Sequence, residues 1–446
     1  MPPLHALLLC TVFVLFLLWL EKKQASSMAL SLWIPTIWML LIASKPLALW
    51  FMMQDDTNEG SLLDRNLLIL LLLIGLLLLI KRRFNLSRAI RENIWLMMLI
   101  GFMLISILWT DIPFMSFKRW IRELVAVVMA FLVLTERNPH QAMESIFRRT
   151  VYILIPFSLL LIKYYPQYGV DYGRWSGELM WVGVTMQKNG LGRLCLIAAF
   201  FLIWTFIKRW QGRDPSAVKY QTYAEIVVLI LAFWLLNGPS IISMSATAVA
   251  SMAAGLAVFV GLLLMKKWKI YAAANTLVAI IAAVIIFGTI MVFTGGSTIG
   301  SFTSSVGRDA TLTGRTEIWA ELLPLAMLRP IVGHGVGGFW SPEAKAKHQL
   351  TEAHSGYLEI ILDYGFIGLL LFSLFLLSSC RKAHREMKHD YYWGSLWICF
   401  LLMSVIHNIS ESSLNSFANQ LTAVLLFLAV SSTASTRYKP GVLRKT

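Results

Sequence analysis

Two side chains suited to phosphate and proton chemistry lie in or beside the longest polar stretch of the sequence. Arg315 lies inside residues 294–351, and His354 follows just after their end. Apolar runs flank this stretch, so both side chains are expected at a membrane surface. A guanidinium can bind phosphate oxygens through two parallel hydrogen bonds. An imidazole can accept a proton near neutral pH. The pairing predicts a site for an anionic, lipid-linked substrate.

The residues around Arg315 favour a binding role. Gly314 allows the backbone to approach a ligand, and Glu317 and Trp319 are expected to hold the guanidinium in place. Arg308, seven residues earlier, is expected to add a second cation. The structural alternative is that Arg315 only anchors the loop, with its head reaching the lipid phosphates.

His354 differs from the other two histidines of this region, His334 and His348, in its neighbours. Glu352 and Glu359 are expected to orient its ring or raise its basicity, and a helix is expected to begin beside it. A lone histidine is more often a solvated or capping residue. The flanking carboxylates favour a general base.

A second cationic segment, Gln187–Arg193, opens another apolar run. A helix N-terminus presents free N–H groups and a partial positive charge, which suits an anion. Lys188 and Arg193 would reinforce that charge. Lys188 can also be explained as a snorkelling residue. Arg193 lies about one turn into the apolar run, where a charge is costly unless it faces a cavity or a partner.

The composition predicts an integral membrane protein. The 446 residues are 57% hydrophobic and 14% charged, whereas soluble domains carry about 25% charged residues. The net charge of +15 is assigned to lipid headgroups and membrane topology rather than to nucleic acid, because basic residues cluster between apolar runs. The four cysteines form no CxxC pair, and no disulfide framework or metal site is expected. Motifs for ATP hydrolysis, dinucleotide binding and zinc proteolysis are missing from the sequence.

The predicted fold is an all-α, polytopic transmembrane helix bundle of about 12–13 spans. The candidate spans are roughly 4–20, 29–52, 62–80, 94–109, 121–135, 150–165, 190–207, 223–236, 246–265, 270–293, 355–379, 393–408 and 418–434. Every second connection is rich in lysine and arginine, which predicts that those connections face the cytoplasm and that the N-terminus lies outside. We expect one membrane domain over residues 1–446, with a periplasmic loop over residues 294–354. Short interfacial helices are expected over 314–328 and 351–362, the second entering its span after Gly365.

Several motifs together resemble the O-antigen ligase and polymerase superfamily of bacterial envelope proteins. The main signature comprises Gly314–Trp319, Arg329–Phe339, Ala353–Glu359 and Tyr364–Leu369. Weaker matches are Trp109–Pro113, Lys188–Gly192 and Ser243–Thr247. The Lys-Asn-x-x-Gly pattern at Lys188 resembles the exopolysaccharide polymerase branch in particular. That family often has a histidine before this pattern, where this chain has Gln187.

The resemblance implies a glycosyltransferase on the periplasmic face of the bacterial inner membrane. The implied donor is a glycan on undecaprenyl diphosphate, and the acceptor is a sugar hydroxyl on lipid A–core or on a growing lipid-linked glycan. The family implies no metal and no cofactor. Arg315 matches the arginine that engages the diphosphate, and His354 matches the histidine proposed to activate the acceptor. The expected substrate-binding residues are Arg315, Lys188, Arg193, Arg308, Glu352 and Tyr357.

Three alternatives stay open at the level of sequence. The enzyme can be a ligase acting on lipid A–core or a polymerase of an O-antigen or exopolysaccharide. A transporter or flippase of lipid-linked oligosaccharides would use the same cations but needs no general base. A non-catalytic scaffold of a polysaccharide assembly complex is the third alternative.

Overall fold

The described residues fold into a bundle of helices with a short pair of antiparallel strands. The structure, a computed structural model, describes residues 1–24, 29–51, 61–173, 177–212, 219–240, 243–270, 273–295 and 314–435. The α-helices are α1 (Pro3–Gln24), α2 (Trp33–Ile42), α3 (Leu47–Trp50), α4 (Leu62–Lys81), α5 (Leu86–Glu92), α6 (Ile94–Ile105), α7 (Pro113–Leu134), α8 (Pro139–Tyr164), α9 (Pro166–Gly169), α10 (Lys188–Gly212), α11 (Lys219–Asn237), α12 (Ala246–Lys267), α13 (Ala274–Phe293), α14 (Arg315–Ala326), α15 (Pro342–His348), α16 (Gly356–Glu386), α17 (Tyr391–His407) and α18 (Gln420–Ser435). Two antiparallel strands, β1 (Val170–Tyr172) and β2 (Leu179–Trp181), pair with Val170 opposite Trp181.

The helices confirm a polytopic membrane fold. Each predicted span overlaps a helical segment, but the span predicted over 29–52 is divided between α2 and α3. Among the described residues, 8 helices are by themselves long and apolar enough to cross a membrane, and the bent pair α5–α6 brings the number to 9. Three shorter apolar helices cover Leu30–Ile42, Tyr391–His407 and Gln420–Ser431. The predicted 12–13 spans therefore include segments that are too short to cross without their flanking turns.

Burial separates core helices from lipid-facing helices. Nearly every residue of α17 is buried, and α8 and α10 are also largely enclosed. In contrast, α1 and α4 leave half of their leucine side chains exposed, and few of their residues are buried. An apolar helix that stays exposed on most of its surface is stable in lipid rather than in water. The core helices are therefore the elements that hold polar residues away from the hydrocarbon.

Paired charges lie buried at the ends of α1, α8, α10 and α11 that were predicted to face the cytoplasm. Arg149 Nε lies 2.9 Å from a Glu21 carboxylate oxygen, and Arg148 Nε lies 3.1 Å from Glu225. Arg209 pairs with the same Glu225 carboxylate. Buried charges are tolerated when they are paired and hydrogen-bonded. This network ties four helices together at one end of the bundle.

The segment after α13 folds back onto the bundle and enters it through a broken helix. Residues 296–313 lie outside the described part, and α14 confirms the expected short helix after Gly314. Within α16, Gly365 has φ 62° and ψ −164°, which breaks the helix into a short first part and a long span. A Cβ at Gly365 would lie 2.4 Å from the Ile331 carbonyl carbon, so the loop before α15 packs against the break by backbone contact. The break falls where the sequence placed the entry into the span.

Candidate active site

Four helix N-termini meet the connection between α17 and α18 at the other end of the bundle. Thr247 at the start of α12 lies 2.9 Å from Ser410, hydroxyl to hydroxyl. At the start of α16, the Gly356 N–H lies 3.0 Å from the Asn408 carbonyl oxygen and 2.9 Å from that of Glu411. A side chain at Gly356 would collide with Asn408, since a Cβ there would lie 2.0 Å from its Oδ1. This close approach brings α10, α12, α14 and α16 around one polar region.

We call this region the outer cluster. It comprises the six residues Asn189, Arg193, Arg315, Glu352, His354 and Glu411. They come from four separate parts of the sequence. The fold therefore assembles a polar site that no single sequence motif contains.

Arg315 is the first residue of α14, and its guanidinium is directed at Glu411. Its Nη2 donates to the Glu411 carboxylate, and its Nη1 lies 3.4 Å from the Thr247 hydroxyl. The prediction that Glu317 and Trp319 hold this guanidinium is wrong in respect of Trp319. The indole is fully buried and donates elsewhere, to a backbone carbonyl. The anchor of Arg315 comes from a distant connection instead.

Glu411 is the site residue that the sequence analysis missed. Its side chain is 0% exposed, and Asn189 Nδ2 donates to its Oε1 at 2.6 Å. Among the described residues, its Oε2 has no hydrogen-bond partner. A buried carboxylate oxygen of this kind calls for a partner. The available signal was the single acidic residue in the segment Asn408–Ser413, at the end of a span that was predicted to face outward.

Arg193 reaches the same connection from α10. Its Nη1 donates to the Ser412 carbonyl oxygen at 3.2 Å, and its Nε has no hydrogen-bond partner among the described residues. Asn189 and Arg193 are four residues apart, so they share one face of the helix. Lys188 is the first residue of α10 and is half-buried there. The structure thus brings Arg193 into the outer cluster and places Lys188 at the beginning of the helix that carries it.

His354 belongs to the same cluster and lies close to Glu352. Its Nδ1 is 3.3 Å from Glu352 Oε1, and the two side chains keep 27% and 22% of their surface exposed. The backbone of His354 has φ 50°, in the left-handed region that residues other than glycine rarely adopt. Such conformations concentrate at functional sites.

The charged residues of the outer cluster all influence the protonation of Glu352. Burial raises the pKa of the Glu352 carboxyl above its ordinary value of 4.5. The charge of His354 opposes that rise, and so do Arg193 and Arg315, whereas the Glu411 carboxylate adds to it. The pKa of this carboxyl therefore depends on the charge state of its neighbours.

Glu359 does not contact the His354 ring, contrary to the expectation that it orients the ring directly. Its Oε1 accepts a hydrogen bond from the Ala353 N–H, and its Oε2 accepts one from Trp340 Nε1 at 2.8 Å. The carboxylate is 1% exposed. Of the two flanking carboxylates, only Glu352 is beside the ring.

Tyr357 is not brought to the outer cluster. Its hydroxyl donates to the Val405 carbonyl oxygen at 2.7 Å, and its ring packs against Gly288 of α13, where a Cβ would lie 2.2 Å away. This contact pattern is that of a residue that packs α16 against α13 and α17, so the arrangement argues against substrate binding by Tyr357. Arg308, the other predicted substrate-binding residue, lies outside the described residues.

The spacing of Glu352, His354 and Glu411 is compact enough to be tested as a metal site. One ligand atom from each lies within 4.8 Å of the others. However, Arg315 already pairs with Glu411, and Arg193 lies close enough to Glu352 to affect its charge. A divalent cation would have to approach two guanidinium groups, which is unfavourable. A site without metal therefore stays the prediction.

Buried polar atoms continue beneath the outer cluster. His407, at the end of α17, is 0% exposed, and neither ring nitrogen has a hydrogen-bond partner among the described residues. The hydroxyls of Ser245, Ser355 and Ser412 are unpartnered in the same sense. Unsatisfied buried polar groups are costly, and their concentration here indicates a region that receives polar ligand atoms or water. His407 was not predicted as a site residue, because it lies at the end of an apolar run.

The outer cluster places two arginines, which are suited to an anion, close to the His354 imidazole, which is suited to accept a proton. Two guanidinium groups lie at helix N-termini, where partial positive charge also favours anions. An imidazole with an adjacent carboxylate is the usual arrangement of a general base. The fold and site define a polytopic membrane protein with a cluster of paired charges and an imidazole at one end of its helix bundle.

Comparison with known proteins shows what this chain is similar to. A family profile described as O-antigen ligase matches residues 231–373, a range that includes Arg315 and His354. An exopolysaccharide production protein, ExoQ, of Rhizobium meliloti (strain 1021) is 26% identical over 306 residues. That alignment covers 64% of this chain and 64% of the relative, so it spans less than two thirds of the relative's length. The two matches confirm the resemblance to the O-antigen ligase and polymerase superfamily and support a role in polysaccharide biosynthesis.

Proposed function

We propose that the protein transfers a glycan from undecaprenyl diphosphate to a sugar hydroxyl at the periplasmic face of the bacterial inner membrane. In this proposal residues 294–354 form the periplasmic loop, and the outer cluster is the active site. The main support is that Arg315 pairs with Glu411 and His354 lies beside Glu352, while ligand atoms of Glu352, His354 and Glu411 lie within 4.8 Å of one another. Donor binding and acceptor activation then occur within one small region.

The donor diphosphate is bound by Arg315, with Arg193 and Lys188 as helpers. As the glycosidic bond breaks, negative charge grows on the departing diphosphate. A guanidinium directed at that position stabilises the charge without reorganisation during the reaction. The planar group also contacts two phosphate oxygens at once, which a lysine cannot do. Guanidinium groups supply the charge that a metal ion supplies in other transferases, so no metal or cofactor is required.

His354 acts on the acceptor as a general base. The acceptor oxygen attacks the anomeric carbon of the donor, forming a new glycosidic bond while the bond from that carbon to the phosphate oxygen breaks. The diphosphate leaves with the bonding electron pair, and the acceptor proton passes to His354. A single displacement of this kind inverts the configuration at the anomeric carbon. The acceptor is a sugar hydroxyl either on lipid A–core or on a growing glycan.

Glu352 sets the state of the His354 ring. With the carboxylate 3.3 Å from Nδ1, a proton on Nδ1 faces a negative charge, which leaves Nε2 as the nitrogen that accepts the acceptor's proton. The same carboxylate stabilises the imidazolium formed during transfer. Glu352 therefore assists catalysis through the ring rather than by binding substrate alone.

The decisive experiment is transfer by the purified protein in lipid nanodiscs. The donor is a synthetic polyprenyl-diphosphate glycan, the candidate acceptors are lipid A–core and a lipid-linked glycan, and the buffer contains EDTA. We expect one acceptor to gain the mass of the glycan, with an equal amount of polyprenyl diphosphate released and the anomeric configuration inverted. Donor that crosses liposomes with no acceptor consumed would replace this proposal with a flippase. A protein that neither binds nor moves donor would be a scaffold.

A further inference from the structure

The backbone that leads into His354 is fixed by hydrogen bonds to the preceding residue, Ala353. Ala353 is fully buried, and both of its backbone polar groups are engaged by side chains. Its N–H donates to Glu359 Oε1, and its carbonyl oxygen accepts from Trp319 Nε1 at 3.0 Å. The peptide groups on either side of Ala353 are thus fixed immediately before the left-handed backbone of His354.

The two side chains that hold Ala353 are themselves fixed. Trp319 lies on α14 and is 0% exposed. Glu359 lies on the first part of α16 and is 1% exposed, with its second oxygen bound to Trp340 Nε1 at 2.8 Å. Neither side chain contacts substrate in this arrangement, because both point to the backbone and the interior.

We infer that Trp319 and Glu359 are positioning residues, which hold His354 in its left-handed conformation so that its imidazole faces Glu352. The inference rests on the proposed function, since it assigns these residues to the activity of the same site. If either bond to Ala353 is lost, the backbone at His354 can relax to negative φ. The Cα–Cβ bond then points elsewhere, and the ring leaves the position from which it reaches the acceptor.

Trp319→Phe gives the mildest test, because it removes only the indole N–H and keeps most of the ring. Trp397→Phe is its matched control. Trp397 is also 0% exposed, and its indole nitrogen has no hydrogen-bond partner among the described residues. The same substitution at Trp397 therefore removes similar volume without removing a described hydrogen bond. A difference between the two variants reports on the bond to Ala353.

Glu359→Gln tests the second bond and offers a rescue. A carboxamide has one accepting oxygen and one donating NH2 group, so it cannot accept from Ala353 and Trp340 together. In Glu359→Gln, the side-chain NH2 group therefore faces the N–H of either Ala353 or Trp340, and that N–H loses its acceptor. Adding Trp340→Phe removes the competing indole N–H, so that the amide oxygen can serve Ala353. The double variant Glu359→Gln/Trp340→Phe should regain activity that the single variant lost.

Kinetics and binding separate positioning from general damage. For Trp319→Phe and Glu359→Gln we expect kcat to fall by ~100-fold, the loss typical of a misplaced catalytic group. Binding of geranylgeranyl diphosphate, used as a donor probe, should stay near the wild-type value. The double variant should recover most of kcat, and Trp397→Phe should behave like the wild type. Wild-type kcat in folded Trp319→Phe, or a loss of probe binding equal to the loss of kcat, would overturn the inference.

A chemical readout works even if no transfer is observed. Diethyl pyrocarbonate modifies exposed imidazoles, and peptide mass spectrometry gives its rate at His354 separately from other histidines. We expect this rate to change in Trp319→Phe and Glu359→Gln and to stay unchanged in Trp397→Phe. Unchanged rates in all variants would refute the positioning role. An inactive wild type with changed rates would refute the proposed function while leaving the positioning of His354 intact.

Discussion

Arg315 and Glu411 form an ion pair across 96 residues of sequence, and the carboxylate is fully buried while the guanidinium keeps 15% of its surface exposed. The pair ties the start of α14 to the connection that follows α17. A diphosphate that reaches Arg315 must share the guanidinium with Glu411. The proposed function therefore gives Arg315 a role in donor binding besides its structural role in the pair, and mutation can separate the two roles.

The first prediction separates those roles. Arg315→Ala leaves the buried Glu411 carboxylate without its cation, and breaking a buried pair costs about 3–5 kcal/mol. We expect a lower melting temperature together with lost donor binding. Adding Glu411→Gln removes the stranded charge, so the double variant should recover the melting temperature but not the affinity for geranylgeranyl diphosphate. Recovered glycan transfer in the double variant would show that Arg315 is structural only.

Arg315→Lys extends this comparison. It keeps the charge but loses the two-pronged geometry, so transfer should stay impaired. Lys188→Ala and Arg193→Ala should have smaller effects than Arg315→Ala, because each is a helper at the edge of the phosphate site. Transfer rates measured with saturating donor give the comparison.

The second prediction concerns His354. Removing a positioned general base typically lowers the rate by ~10²–10⁴-fold. His354→Ala should therefore bind the lipid-linked donor and transfer almost no glycan. His348→Ala is the matched control, because its ring pairs with Glu321 away from the outer cluster. His334→Ala should also keep most activity. A normal transfer rate in His354→Ala would exclude this residue as the base.

The third prediction is a pH dependence that originates in Glu352. Burial raises the pKa of this carboxyl above 4.5, so the group becomes protonated at a higher pH than an ordinary carboxyl. Protonation removes the charge beside His354, and transfer should decline as pH falls through this raised value. In Glu352→Gln the rate should be low, and this limb of the pH–rate profile should be missing.

Stability should show the opposite trend for the same group. The folded protein binds the Glu352 proton more tightly than the unfolded chain does, so this group stabilises the fold below the ordinary pKa. That contribution is lost as pH rises through the raised pKa. The melting temperature of Glu352→Gln relative to that of the wild type should therefore rise as pH increases. A difference that is constant across pH would contradict the assigned pKa shift.

The fourth prediction tests topology with single cysteines. Glu343→Cys lies in the proposed periplasmic loop, and Arg137→Cys lies in a basic connection predicted to be cytoplasmic; both positions are exposed. The background should lack the four native cysteines, of which three are buried. In intact spheroplasts an impermeant thiol reagent should label only the first variant. Labelling of only the second would invert the topology and move the active site to the cytoplasm.

The fold could be predicted largely from the sequence, because each membrane span requires a long apolar helix and such a run is visible in the hydropathy. The break at Gly365 was also predictable, since glycine beside a signature motif marks an unusual backbone position. The number of spans was harder to predict, because several apolar helices are shorter than the membrane and complete their spans with flanking turns.

The site could be predicted only in part. Arg315 and His354 were found because they lie in motifs with chemical character. Glu411 could not be paired with Arg315 from one sequence, because the contact depends on how α14 packs against the connection after α17. Tyr357 belongs to a signature motif, but its hydroxyl donates to a backbone carbonyl oxygen away from the outer cluster. Residues close to Arg315 and His354 in the sequence therefore did not predict all of the side chains that contact them in the fold.

The left-handed backbone of His354 also implies a conflict between heat resistance and activity. A residue other than glycine in a sparsely populated region costs of order 1–3 kcal/mol, which is a sizeable share of the roughly 5–15 kcal/mol that holds a typical protein folded. Glycine at this position would adopt the same φ without that cost, so His354→Gly should melt at a higher temperature than His354→Ala while lacking the imidazole. Laboratory evolution for heat resistance alone would therefore tend to discard this histidine, and any such selection needs a parallel screen for glycan transfer.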